Sequence, residues 1–127
     1  MRFAITFSAM TVLLASPALA DGDAVAGKAV FGKCMACHTA DQPKNRVGPT
    51  LMGVVGRPAA AVGDYTKYSP GMKKAGMDGM VWDEKTLAHY LATPKTAVPG
   101  TKMMFAGLKS ETDIANVIAY LKAHPAP

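Results

Sequence analysis

The chain's apolar positions follow a helical period in a few short stretches and lose it between them. The clearest stretch is the last. Ile114, Val117, Ile118 and Leu121 form one apolar stripe. Ser110 with Asp113 three residues on is a capping-box variant, and Pro125 ends the pattern, so a helix is predicted over 110–124. Leu87, Tyr90 and Leu91 recur at the same spacing, Asp83 supplies a cap and Pro94 a stop, which predicts a helix over 83–92. Residues 23–33 are rich in good helix formers, with Val30 and Phe31 on an apolar side. Gly27 lies inside this helix at a cost of about 1 kcal/mol relative to Ala. That cost makes sense where a second helix, here the last one, comes close. Pro70–Lys74 reads as one helical turn ended by Gly76. No repeat, βαβ pattern or sustained alternation is present. The class is all-α, with three to five short helices.

The intervening stretches 39–63 and 93–109 have no period and are punctuated by Pro and Gly. Structureless loops of this length argue against a compact domain unless they wrap something large and apolar. Leu51, Val54, Val55 and several methionines would suit such a lining. At 127 residues, half of them apolar and 18% charged, the chain has room for one core and too little charge for disorder. Two cysteines make neither a disulfide-dense scaffold nor a four-cysteine zinc site.

Residues 1–20 are expected to be a cleaved secretory signal peptide. Arg2 precedes an apolar run, and Ala18-Leu19-Ala20 has the small-x-small form of a cleavage site. Residues 21–127 then form a single domain, exported, not membrane-spanning, and placed in a bacterial periplasm. Losing Arg2 lowers the formal charge from +5 to +4.

The chemistry sits at the end of the first helix. Cys34-Met35-Ala36-Cys37-His38 is a Cys-x-x-Cys-His run, the pattern that attaches c-type haem. The two thiols stand about one helical turn apart and can each add to a haem vinyl group, while His38 can reach the iron. A structural disulfide, a dithiol oxidoreductase and half a zinc site are the alternatives. A thioredoxin-like dithiol wants a βαβ setting, and zinc would need His89 or His124 at no characteristic spacing.

The chain resembles class I cytochrome c, in its mitochondrial-type and bacterial cytochrome c2 branch. The resemblance is carried by Gly27-Lys28-Ala29-Val30-Phe31 before the Cys-x-x-Cys-His run and by Gly48-Pro49-Thr50-Leu51. Trp82, Tyr90, Pro99-Gly100-Thr101-Lys102-Met103 and Ile118-Ala119-Tyr120-Leu121-Lys122 follow in family order. It implies the cytochrome c fold, with long loops around one haem bound covalently through Cys34 and Cys37. His38 would be one axial iron ligand, held by the Pro49 carbonyl. Met103 would be the other, with Met104 as its rival, since neighbours in an extended loop face opposite ways. His/Met ligation raises the reduction potential. Arg57, Tyr68 (or Tyr65), Trp82 and Thr101 would support the haem propionates. Tyr90 would hydrogen-bond the Met sulfur. Trp82 and Tyr90 read equally well as core aromatics.

The resemblance further implies an electron carrier, not an enzyme, passing one electron at a time between membrane-bound redox complexes: a reductase, an oxidase or a photosynthetic reaction centre. Lys33, Lys95, Lys102 and Lys109 match family positions around the haem edge and would dock such partners. The carrier is expected to be a monomer. Nucleic acid is not an expected partner, because the basic residues are dispersed. The rival functions are an exported thiol-disulfide oxidoreductase and a haem sensor or peroxidase with an open sixth position. Cytochrome c′ is disfavoured because it carries its Cys-x-x-Cys-His near the C-terminus.

Overall fold

A computed structural model describes residues 21–127. The signal peptide expected at 1–20 lies outside the described residues. Among the described residues five helices follow in order: α1 Ala24–Phe31, α2 Pro70–Met77, α3 Glu84–Ala92, α4 Pro94–Ala97 and α5 Glu111–Lys122. Between Pro58 and Val81 there is one isolated antiparallel bridge among the described residues. None of the described helices is long and apolar enough to cross a membrane.

Local chemistry sets the helix starts. Asp23, Ser69, Asp83 and Ser110 each accept a hydrogen bond from a backbone N–H of the first turn, satisfying donors that the helix itself leaves unpaired. Two expectations need correction. The helix at Pro70 runs two turns through Gly76 to Met77 rather than one. Gly76 lies within this helix and packs on the Ala59 carbonyl, where a Cβ has no room. Pro94 does not simply stop α3. The chain leaves the helix at Thr93, with φ of −143°, and Pro94 then opens the short α4 inside the stretch expected to be loop.

The two terminal helices cross and hold the domain together. A Cβ at Gly27 would collide with the Asn116 carbonyl and lie 2.9 Å from Tyr120 Cβ, so the backbones touch where the sequence places glycine. The Asp23 N–H donates to Asn116 Oδ1 at 2.8 Å across the same contact, and the Phe31 and Tyr120 rings stack at 5.3 Å. Phe31, Ile114, Val117, Ile118 and Leu121 continue into a core with Leu87, Val98 and Leu108. Burying side chains of this size stabilises the fold by roughly 1.5–3 kcal/mol each. The long loops are fixed to this frame by backbone hydrogen bonds. Gly48 donates to the Cys37 carbonyl at 2.8 Å, Leu51 to Thr39 at 2.8 Å and Leu108 to Leu91 at 2.7 Å.

Candidate functional site

The Cys-x-x-Cys-His segment leaves α1 as a tight turn. Cys37 and His38 both donate their N–H to the Cys34 carbonyl, at 3.1 and 3.0 Å. Cys34 and Cys37 are free, half-buried thiols. Burial pushes the Cys34 thiol above its ordinary pKa, against the lowering effect of Lys33, and Cys37 adds to the rise. A dithiol oxidoreductase depends on the opposite, a thiol pushed down toward the thiolate.

His38 is fixed from two sides. Its Nδ1 lies 2.7 Å from the Pro49 carbonyl, and that bond holds the proton on Nδ1 and leaves Nε2 as a lone-pair donor. Gly48 lies flat against the imidazole; a Cβ there would meet the ring, with Nδ1 only 2.8 Å away. The sequence marks Gly48 only as part of a loop motif, and its role as the floor under the ring emerges from the packing. Burial lowers the His38 pKa below its ordinary value. The Pro49 bond opposes this and the Arg57 charge reinforces it. The neutral imidazole is the form that ligates a metal.

The Met103 loop runs extended, with half-buried and exposed residues alternating from Thr101 to Ala106. Met103 packs partly buried against the core, whereas Met104 is 95% exposed. Thr101 Oγ1 anchors the loop. It lies 2.6 Å from the hydroxyl of the buried Tyr90 and accepts the Met103 N–H at 3.3 Å. Tyr90 thus reaches the Met103 loop through Thr101. The Trp82 ring is buried and packs on Tyr90 at 4.9 Å between centroids.

Arg57 is the outlier. Its Nη1 donates to the Met52 carbonyl at 3.3 Å, but Nε is buried without a hydrogen-bond partner. An unpaired buried donor on a cation is costly, and such a group calls for an anion or an acceptor. Burial lowers the Arg57 pKa, and the neighbouring Tyr68 phenol opposes that shift. The Tyr68 hydroxyl accepts the Val62 N–H at 3.2 Å, while Tyr65 donates to the Val47 carbonyl at 2.6 Å, with the two tyrosine rings edge to face. Sequence reasoning missed Asn45 altogether: it accepts the Thr50 N–H and donates to Asp64, tying loop 39–50 to loop 60–68.

Two thiols and an imidazole on one turn, a partly buried thioether, and a guanidinium whose buried Nε–H has no partner fit a covalently bound metalloporphyrin with acidic side groups. The sequence pattern of the family described as Cytochrome c matches residues 24–125. The chain belongs to the cytochrome c family. It is 50% identical to cytochrome c2 iso-2 of Magnetospirillum fulvum over 93 residues, covering 73% of this chain and 93% of that one. It is also 50% identical to cytochrome c2 of Afifella marina over 103 residues, 80% of this chain and 82% of the relative. Among solved structures, cytochrome cH from Methylobacterium extorquens superposes with a TM-score of 0.73 at 46% identity, over 80% of this chain and 99% of that one. The chain is thus a cytochrome of the bacterial c2 branch, an electron carrier and not an enzyme, with one covalently attached c-type haem.

Proposed function

We propose that this cytochrome is a periplasmic, freely diffusing carrier whose haem is attached through Cys34 and Cys37 and ligated by His38 and Met103. It would shuttle single electrons between membrane-bound redox complexes. The observation that supports the reading is a pair of ligand settings. His38 is locked by Pro49 with Nε2 free, and Met103 packs partly buried against the core while Met104 is turned to solvent.

When bound, the haem supplies a one-electron couple. The protein's own task is to hold its surroundings still. Pro49 and Gly48 fix the ring plane of His38, and Tyr90 and Thr101 fix the Met103 backbone. Arg57, whose buried Nε–H has no partner, would offer it to an acidic side group. Rigid settings for His38 and Met103 would keep the geometric change per electron small, and with both residues holding the iron no site would be left for a substrate. Lys33, Lys95, Lys102 and Lys109 are exposed, and among the described residues none of them is in an ion pair. By contrast, Lys74 pairs with Asp78 and Lys122 with Glu84. These four cations are available to steer the carrier onto acidic partners.

The test is an absorption spectrum of the purified holoprotein after acid–acetone extraction. A retained Soret band with a sulfur–iron(III) charge-transfer band at the red end is expected. In Met103→Ala the charge-transfer band should vanish while covalent haem remains. Haem that extracts, or a band indifferent to Met103, would overturn the assignment.

A further inference from the structure

The hydrogen bond that locks His38 is the inner end of a longer chain. The Pro49 carbonyl that faces His38 Nδ1 at 2.7 Å belongs to the same peptide plane as the Thr50 N–H. That N–H donates to Asn45 Oδ1 at 2.9 Å, and Asn45 Nδ2 donates in turn to Asp64 Oδ1 at 2.9 Å. Only one orientation of the Asn45 amide serves both neighbours, because the backbone N–H needs an acceptor and the carboxylate needs a donor. Every link therefore points the same way, from the His38 N–H outward to a full negative charge. Thr50 is buried and Asn45 half-buried, so the middle of the chain is shielded from water. Asp64, at the outer end, is exposed and, among the described residues, in no ion pair.

We propose that Asn45 and Asp64 are positioning residues of the redox centre, which set the donor strength of His38 through the Pro49–Thr50 peptide. The carboxylate polarises the Asn45 amide, the amide polarises the peptide, and the Pro49 oxygen becomes a stronger acceptor. Successive bonds in such a chain strengthen one another by about 10–30% each. A stronger acceptor draws the Nδ1 proton outward, makes Nε2 a better electron donor and so favours the ferric state. Water screens the direct field of an exposed carboxylate, so the bonded chain is the route by which the Asp64 charge reaches the ring. The inference rests on the ligation proposed for His38 and adds to it a distant charge that tunes that ligand. Asn45 is the switchable link: it joins the peptide behind His38 to loop 60–68, and without it the two ends of the chain are not bonded.

The experiment is a double-mutant cycle on the holoprotein, with Asp64→Asn, Asn45→Ala and the two combined. It is read by redox titration and by the His38 Nδ1–H proton signal of the reduced protein in NMR. Asp64→Asn keeps the shape of the side chain and removes its charge. It should favour the ferrous state about threefold at a fixed applied potential, a rise of about 28 mV at 59 mV per tenfold for one electron, and should move the Nδ1–H signal upfield. Asn45→Ala should move both readouts in the same direction with the charge still present. Adding Asp64→Asn to Asn45→Ala should then change neither of them further. An Asp64→Asn effect of equal size in both backgrounds would mean that the carboxylate acts through space, and the relay is overturned. A potential and an Nδ1–H signal indifferent to both substitutions, with the His38 ring protons still carrying the upfield shift of a haem ligand, overturns it as well and leaves the ligand assignment standing. If Asn45→Ala does not fold, Asp64→Asn decides alone: a potential that rises while Nδ1–H stays in place refutes the relay. His38 ring protons without the haem shift would mean that His38 is not the ligand, and the proposed function falls together with the inference.

Discussion

Replacing Gly27 by valine tests the contact on which the whole domain rests. The α1–α5 crossing leaves no space there: the first atom of any side chain would strike the Asn116 carbonyl and crowd Tyr120 Cβ at 2.9 Å. Both neighbours are held, Asn116 by its bond to the Asp23 N–H and Tyr120 by its stack on Phe31. The backbones must therefore separate. Overpacking of this kind costs about 1–3 kcal/mol. Valine is a better helix former than glycine by only a few tenths of a kcal/mol, which does not offset it. For a domain of about 100 residues, each kcal/mol moves the melting temperature by about 4–8 °C, so a fall of roughly 5–20 °C is expected. The assay is thermal unfolding of the holoprotein followed by far-UV circular dichroism. Val25→Ala, in the same helix at a side chain 84% exposed, serves as control and should leave the melting temperature unchanged or slightly higher. The absorption spectrum of surviving folded Gly27→Val should match the parent, since the crossing lies apart from the proposed ligands. An unchanged melting temperature for Gly27→Val would refute the close crossing.

Further expectations concern the site. Arg57→Gln should lower the reduction potential, on the order of tens of millivolts, because a half-buried cation close enough to His38 to lower its pKa would favour the less positive ferrous state; redox titration decides the sign. Tyr90→Phe removes the bond to Thr101 and should cost about 0.5–1.5 kcal/mol in chemical denaturation. Burial raises the Tyr90 pKa above 10.0, so the folded state holds its proton more tightly than the unfolded chain. This contribution is complete below the unfolded value and is lost as pH rises through the folded one, and Tyr90→Phe should lessen the alkaline loss of stability. Electron transfer to an acidic partner should slow with rising salt. Charge reversal at Lys33 or Lys102 should slow it more than reversal at the ion-paired Lys74 or Lys122, as second-order rates across ionic strength will show.

Much of this protein is determined locally. Helix starts follow from single capping side chains, and Asp23, Ser69, Asp83 and Ser110 mark them in the sequence. The attachment run is legible because its chemistry needs two thiols and an imidazole within one turn, a spacing that neighbours in sequence can satisfy. Gly27 is legible too, since a glycine inside a helix implies a close neighbour. What the sequence leaves open depends on residues far apart. Whether Met103 or Met104 faces inward depends on how the loop is pinned, and the pin is Thr101 held by Tyr90 from α3. The partner of Tyr90 is a hydroxyl eleven residues away, invisible to any local pattern. The need for glycine at 76 in α2 comes from the Ala59 carbonyl beneath it, and the seat of His38 depends on Gly48 arriving beneath the ring from the next loop. Short-range sterics and hydrogen bonds are written along the chain, whereas the inward face of an irregular loop is decided only when packing brings the distant segments together.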